Sequence, residues 1–173
     1  FEIEHLSRQI VLESFARQES NSKLFINISP ECLTHPNSGK GSTLAYIQKL
    51  GLNPSDVIIE LTESSPTFDY ELIKKAADHY RSMGFQIALD DLGEGFSSLR
   101  LWSELHPDYV KIDKHFVRDI NRQPVKLEFV RSIQQIAESC GARVIAEGVE
   151  TQAELLVLRD LRIPYVQGFY VGR

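Results

Sequence analysis

The sequence has few cysteines and no long apolar run, and both features limit the classes of protein that it can encode. Only two cysteines, Cys32 and Cys140, occur in 173 residues, and they lack the paired spacing of a cysteine metal site. We interpret them as buried thiols of a cytoplasmic protein, because disulfides are rare in that compartment. No stretch of the sequence approaches the ~20 apolar residues of a membrane span, and we expect no signal peptide before the first motif.

An excess of basic charge is also absent. The chain has 19 Lys and Arg against 24 Asp and Glu, which gives a net charge of −5. General nucleic-acid binders usually present a basic face, so we do not expect DNA as a partner. An acidic balance is compatible with a site that holds divalent cations.

The composition is typical of a globular chain, with 42% apolar and 25% charged residues. A chain of this length can bury a sizeable core, and we expect a single domain over residues 1–173. The only methionine is Met83, and the chain opens on Phe1. We therefore interpret it as a piece cut from a longer protein.

Short apolar runs alternate with stretches of helical period. The predicted strands are Leu24–Ile28, Val57–Leu61, Phe85–Leu89, Tyr109–Ile112, Val144–Ala146 and Tyr165–Tyr170. The predicted helices are Phe1–Arg17, Phe68–Met83, Val125–Cys140 and one that starts at a capping box of Thr151 and Glu154, while Thr34–Thr43 is a predicted loop. This order indicates a parallel sheet with right-handed crossovers. The sheet is either open and doubly wound or a closed barrel without its first part.

Polar side chains fall at or near the carboxyl ends of these strands. They are Asn27, Glu60, Asp90, Asp91, Lys111, Glu147 and Gln167. A single acid after a strand is more often a helix cap or a solvated turn. Capping does not readily explain several strands in a row that end this way, and α/β folds assemble their sites at that end.

Asp90 and Asp91 are adjacent like charges that need a cation, a proton or solvent between them. The apolar strand that precedes them argues against solvent, and oxygen ligands from separate strands could hold one or two cations such as Mg²⁺ or Mn²⁺. Lys111 could neutralise charge or orient a water there, and two metals could stabilise both reacting oxygens of phosphodiester hydrolysis. The glycines at positions 93 and 95 predict a loop that moves on substrate binding.

Six segments of the chain read FINISP, IIELTE, ALDDLGEGFSSL, DYVKID, VIAEGVET and QGFY. In this order they resemble the EAL-domain family of cyclic di-GMP phosphodiesterases, from about Phe25 to Tyr170. The resemblance implies a modified (β/α)8 barrel, TIM-like and of the EAL type, which is incomplete at the N-terminus of this chain. It also implies hydrolysis of cyclic di-GMP to linear pGpG with two Mg²⁺ or Mn²⁺ ions per site, in bacterial second-messenger signalling.

The resemblance further implies the metal ligands. Asn27, Glu60 and Asp90 match the ligands of one metal ion. Asp90, Asp91 and Glu147 match the surroundings of the second ion, directly or through water.

Other roles implied by the resemblance concern catalysis and substrate. Lys111 matches the lysine that contacts the nucleophilic water, and Glu147 has also been assigned there as a base. Glu150 and Gln167 match acid and amide positions for substrate binding. Glu63 matches the glutamate that steadies the loop after the acidic pair.

The chain departs from the family in three respects. It ends at Arg173, before the terminal helix of the family, so we expect it to be truncated at both ends. The Glu-Ala-Leu signature is absent, and its glutamate is a metal ligand, so we expect the isolated chain to be inactive. The loop has Leu92, Glu94 and Phe96 where the family usually has Phe, Thr and Tyr. The expected partners are cyclic di-GMP, a second copy in a homodimer, and covalently linked sensory or GGDEF-type domains.

Two alternatives to an active phosphodiesterase remain open. One is a catalytically inactive receptor that binds cyclic di-GMP and passes the signal to another domain. Inactive relatives typically lose acids of the loop or the ligand set, and this chain retains them within its span. The other is an open-sheet Mg²⁺ phosphohydrolase or receiver-like domain, which does not explain AEGVET or QGFY.

Overall fold

The computed structural model describes residues 2–18, 22–29, 42–61, 70–93 and 98–172. The strands are β1 (Leu24–Asn27), β2 (Val57–Leu61), β3 (Gln86–Leu92), β4 (Tyr109–Ile112), β5 (Arg143–Ala146) and β6 (Tyr165–Val166). The helices are α1 (Glu2–Ala16), α2 (Ser42–Lys49), α3 (Tyr70–Ser82), α4 (Ser98–Leu105), α5 (Lys114–Val117), α6 (Pro124–Cys140) and α7 (Gln152–Asp160), and a 3-10 turn covers Pro54–Asp56.

The chain divides into two compact units. The first comprises Phe1–Leu61 and Pro66–Ile87, and in it β1 and β2 pair in parallel from Leu24 opposite Val57 to Asn27 opposite Glu60. Every residue of β2 is buried. On α3 the buried side chains are Ile73, Ala76, Ala77 and Tyr80, the apolar stripe of an amphipathic helix.

The second unit comprises Thr62–Ser65 and Ala88–Arg173. In it the remainder of β3 pairs in parallel with β4, β4 with β5, and β5 with β6. Helices lie between successive strands, as parallel connections require, and α6 contacts β5. Every residue of β4 is buried, which is typical of a parallel strand covered on both faces.

Two helices of the second unit start or end at residues that commonly cap helices. Helix α6 begins at Pro124 and ends at Cys140, and the next residue, Gly141, is a left-handed C-cap with a φ of +77°. Helix α7 has the predicted capping box of Thr151 and Glu154, so that prediction is confirmed.

Three predictions about local structure are wrong. The predicted strand Tyr165–Tyr170 stops after Val166, because the chain turns at Gly168 and Val171 N–H donates to the Gly168 carbonyl. The predicted loop over Thr34–Thr43 gives way to α2 at Ser42, and residues 34–41 lie outside the described residues.

The third concerns the cysteines, which we interpreted as buried. Cys140 is exposed, because it ends α6 on the solvent side, whereas Cys32 lies outside the described residues. None of the helices in the described part of the chain has the length and apolar character that crossing a membrane requires.

Candidate metal centre

The end of β3 departs from regular strand geometry. Its register with β4 shifts between Leu89 and Leu92, an irregularity of the β-bulge type that contains Asp90 and Asp91. Asp91 has a φ of +55°, a conformation that Asp and Asn tolerate better than most residues. Its N–H donates to Asp90 Oδ1 at 3.0 Å. Successive side chains of a regular strand point to opposite faces, so this irregularity is what lets both carboxylates serve one site.

Three carboxylates form the centre of the site. One oxygen atom from each of Asp90, Asp91 and Glu147 lies within 4.8 Å of the other two. Asp90 is buried, and the other two are partly exposed. Carboxylates this close repel one another unless a cation lies between them, and oxygen atoms are the ligands that Mg²⁺ and Mn²⁺ prefer. The donor set therefore fits a hard divalent cation.

Lys111 joins two of these acids. Its Nζ lies 2.9 Å from Asp90 Oδ1 and 2.9 Å from Glu147 Oε1. The three side chains are only 10%, 10% and 19% exposed, for Lys111, Asp90 and Glu147 respectively. One ammonium group balances a single negative charge, so the carboxylate cluster keeps an excess of negative charge that favours a further cation.

Parallel pairing explains why these groups meet. Lys111 is the penultimate residue of β4 and lies opposite Ile145 of β5. Glu147 directly follows β5, and its N–H donates to the Ile112 carbonyl at 3.1 Å. The carboxyl ends of neighbouring parallel strands share one edge of the sheet, which places both side chains beside the end of β3.

Two glycines shape the segment after β5. Gly148 has a φ of +70°, and a Cβ there would lie 2.4 Å from Lys114 Cβ. At Gly168 a Cβ would lie 2.3 Å from the backbone nitrogen of Val149. Val149 N–H also donates to the Gln167 carbonyl at 3.0 Å. The segment between Glu147 and α7 is therefore held against α5 on one side and against the chain after β6 on the other, and both contacts require glycine.

The structure brings together four of the predicted site residues in the second unit: Asp90, Asp91, Lys111 and Glu147. Glu150 and Gln167 are exposed on the adjoining segments. Gln167 N–H donates to the Ala146 carbonyl at 2.8 Å, which places this residue beside the end of β5.

The remaining predicted residues fall elsewhere. In the first unit Asn27 and Glu60 are paired neighbours at the ends of β1 and β2. Glu60 is buried and Asn27 is exposed. Glu63 lies outside the described residues, and so does the segment 94–97 of the predicted mobile loop.

Glu154 is a buried carboxylate that the motifs did not single out for the site. It is 3% exposed. Its Oε2 accepts from the N–H groups of Glu150 and Thr151 at 3.0 and 2.9 Å, and its Oε1 accepts from Asp119 N–H at 2.9 Å. Burial by itself raises the pKa of this carboxyl, but the N–H donors of Asp119, Glu150 and Thr151 outweigh it and hold the pKa below its ordinary value.

The lowered pKa of Glu154 predicts a pH-dependent contribution to stability. A carboxyl whose pKa is lower in the folded state stabilises the fold above its unfolded pKa of about 4.3, and this contribution is lost as pH falls through the folded value. We expect Glu154→Gln to lower the free energy of unfolding at pH 7 by about 1–3 kcal/mol. The difference from the unmodified chain should shrink between pH 5 and pH 3 in urea unfolding series; an equal difference at both ends would contradict the prediction.

Comparison with known proteins decides the family. The sequence model of the EAL domain family matches residues 2–173. The chain belongs to the EAL domain family. Probable cyclic di-GMP phosphodiesterase PdeA of Escherichia coli K12 is 32% identical to this EAL chain over 148 residues, which cover 86% of it and 20% of PdeA.

Solved EAL structures superpose on nearly all of the chain. Klebsiella pneumoniae BlrP1, in a complex with calcium and cyclic di-GMP, has a TM-score of 0.88 and 32% identity over 96% of this chain and 42% of its own. The EAL domain of Mycobacterium smegmatis DcpA has a TM-score of 0.86 and 31% identity over 95% of this chain and 76% of its own. These matches confirm the predicted TIM-like barrel fold of the EAL type. The chain spans about a fifth of the length of the curated relatives it matches.

Sequence reasoning missed two features of the EAL site. The irregularity at the end of β3 has no sequence signal in the motif, since two adjacent aspartates are compatible with a regular strand. The capping-box pattern predicted the contact of Glu154 with Thr151, but nothing in the sequence indicates its bond to Asp119, 35 residues earlier.

Proposed function

We propose that this EAL domain hydrolyses cyclic di-GMP to linear pGpG with the help of divalent cations. The observation that carries the proposal is that Asp90, Asp91 and Glu147 bring oxygen atoms within 4.8 Å of one another. The Lys111 ammonium group lies 2.9 Å from two of these acids, Asp90 and Glu147. Such a centre combines ligands for hard cations with a fixed positive charge. Both features can stabilise the negative charge that develops during phosphodiester hydrolysis.

The relatives support this substrate. PdeA and the Escherichia coli protein PdeR are described as cyclic di-GMP phosphodiesterases, the former as a probable one. BlrP1 has been solved in complexes of cyclic di-GMP with calcium and with manganese. Their identity to this chain, 32% for PdeA and BlrP1 and 38% for PdeR, supports the transfer of the reaction class.

The proposed roles of four residues combine their positions in the second unit with the family resemblance. Asp90, Asp91 and Glu147 hold the cations, which when bound polarise the phosphate oxygen atoms as Lewis acids. Lys111, fixed by its two ion pairs, orients the attacking water and stabilises charge that develops on the phosphate. In the proposal Glu147 also accepts a proton from that water, a role that the family resemblance suggests.

The remaining roles rest on the family resemblance. Asn27 and Glu60 are proposed metal ligands, and Glu150 and Gln167 are proposed substrate-binding residues. Glu63 is the proposed stabiliser of the loop after the acidic pair. Two Mg²⁺ or Mn²⁺ ions per site and a homodimer belong to the same proposal. Linked sensory or GGDEF-type domains also belong to it, and the small share of each relative that this chain covers supports their presence. A cytoplasmic location and a single domain over residues 1–173 stay predictions.

The proposal predicts a metal-dependent product. Incubation of cyclic di-GMP and Mn²⁺ with the protein that contains this chain, at its natural length, should give linear pGpG in chromatographic analysis. Chelation with EDTA should abolish the product, and added Mn²⁺ should restore it. Binding of cyclic di-GMP without turnover in the presence of Mg²⁺ and Mn²⁺ would refute the enzyme and support the receptor function. A matched assay with cyclic di-AMP tests whether the site selects guanine.

A further inference from the structure

We infer that Glu154 is a positioning residue that sets the distance between Lys111 and Glu147. The inference rests on the proposed function, because it assigns Glu154 to the support of that site. The Glu154 carboxylate is buried, and its two oxygen atoms bind different segments. Oε2 accepts from Glu150 and Thr151 N–H, whereas Oε1 accepts from Asp119 N–H at 2.9 Å.

These segments belong to the two connections that begin at or just after the two site residues. Lys111 lies in β4, and the chain continues through α5 to Asp119. Glu147 follows β5, and the chain continues to α7 through Glu150. Glu154 therefore joins the connection after β4 to the connection after β5, just beyond the edge of the sheet where Lys111 and Glu147 form their ion pair.

A second contact joins the same two connections. The absence of a side chain at Gly148 lets the backbone after Glu147 approach Lys114 at the start of α5, where a Cβ would lie 2.4 Å from Lys114 Cβ. Asp113 also begins α5 as its N-cap and accepts from His115 N–H at 2.7 Å. The connections are thus fixed to each other at both ends of α5, once by close packing and once by the Glu154 carboxylate.

Helix capping alone explains only part of this arrangement. The capping box accounts for the bonds between Glu154 and Thr151, which lie within α7 and its N-cap. It does not account for Asp119, which belongs to another connection and has a φ of +59°. That backbone conformation is unfavourable for a non-glycine residue, and the bond from its N–H to Glu154 offsets part of the cost.

The decisive variant is Glu154→Gln, which keeps the side-chain shape and removes the charge. We expect kcat for cyclic di-GMP to fall about tenfold or more, and Mn²⁺ affinity to fall by a similar factor, as for other residues that orient metal ligands. KM should change less than threefold, because Glu154 does not touch substrate and bonds only the backbone N–H of Glu150, a proposed substrate-binding residue. The matched control is Asp160→Asn, which removes an exposed charge from the other end of α7 and should leave kcat, KM and Mn²⁺ affinity unchanged.

The variants are measured in the protein that contains this chain, at a temperature where thermal unfolding shows them folded. A folded Glu154→Gln protein with unchanged kcat and Mn²⁺ affinity would show that Glu154 acts only as a helix cap, and it would overturn the inference. If that variant does not fold, Gly148→Ala tests the same idea from the other contact, and the inference again requires lower kcat and Mn²⁺ affinity at constant KM. An unchanged Gly148→Ala protein would overturn it.

The two proposals fail in different ways. If the unmodified protein binds Mn²⁺ without turnover, the proposed hydrolysis fails, and the Mn²⁺ affinity of the Glu154→Gln variant still decides the positioning role. If the unmodified protein hydrolyses cyclic di-GMP and the variant equals it, only the positioning role fails. If the unmodified protein neither binds Mn²⁺ nor turns over, both are overturned.

Discussion

Replacement of Lys111 by alanine is expected to lower kcat for cyclic di-GMP roughly a hundredfold to a thousandfold, the usual loss when a preorganised charge-stabilising donor is removed. The ammonium group is fixed at 2.9 Å from both Asp90 and Glu147, so it needs no reorganisation during the reaction. Substrate binding should change much less, because the predicted substrate contacts are Glu150 and Gln167. Steady-state kinetics at saturating Mn²⁺, with calorimetric binding of cyclic di-GMP, measures both effects.

The Lys111→Ala experiment needs a stability control. Removal of the lysine leaves Asp90 and Glu147 without their cation, which costs about 3–5 kcal/mol for a buried pair. Bound Mn²⁺ should recover part of that stability, so thermal unfolding is measured with and without the metal. Lys75→Ala, at an exposed position of α3, serves as the matched variant. A folded Lys111→Ala protein with normal turnover would show that Lys111 has no role in catalysis.

The second large effect is expected for Asp90→Asn. Asparagine keeps the shape of the side chain and the acceptor for Asp91 N–H, but it removes the charge that Asp90 contributes to the cluster and to Lys111. Residues that only support a metal ligand change metal affinity by about 10–100-fold when they are replaced. Loss of the charge on a residue that binds the metal directly should therefore weaken Mn²⁺ binding at least about a hundredfold. Turnover should fall below about 1% of normal at any practical Mn²⁺ concentration.

Titration with Mn²⁺, followed by its electron paramagnetic resonance signal, measures the first effect directly. Asp78→Asn provides the comparison, because that side chain is 65% exposed on α3 and should bind Mn²⁺ normally. Full activity of Asp90→Asn at excess Mn²⁺ would mean that the cation is held elsewhere. Unchanged Mn²⁺ affinity with lost turnover would instead assign Asp90 to catalysis and remove it from the ligand set.

The amino-acid sequence determined the approximate positions of the six strands, of α1, α3, α6 and α7, and the end of the sheet at which the site lies. It did not predict α2, α4 or α5. Strands β2 and β4 match their predicted bounds, because both are short apolar runs between turns. The Thr151 and Glu154 pattern predicted the start of α7, since a capping box lies within four consecutive residues. The polar groups at strand ends predicted that Asp90, Asp91, Lys111 and Glu147 would meet, and the structure places them together.

Only the tertiary structure decided how the two carboxylates of the acidic pair are arranged. Asp90 and Asp91 would point to opposite faces of a regular strand, and the shifted register with β4 and the positive φ of Asp91 bring both to one cluster. The early end of β6 and the bond between Glu154 and Asp119 likewise depend on the tertiary structure. Helix caps and apolar periods are local in sequence, and so the sequence specifies them. Register shifts and bonds between distant connections depend on which backbone groups meet after the strands pair, and no local pattern encodes that choice.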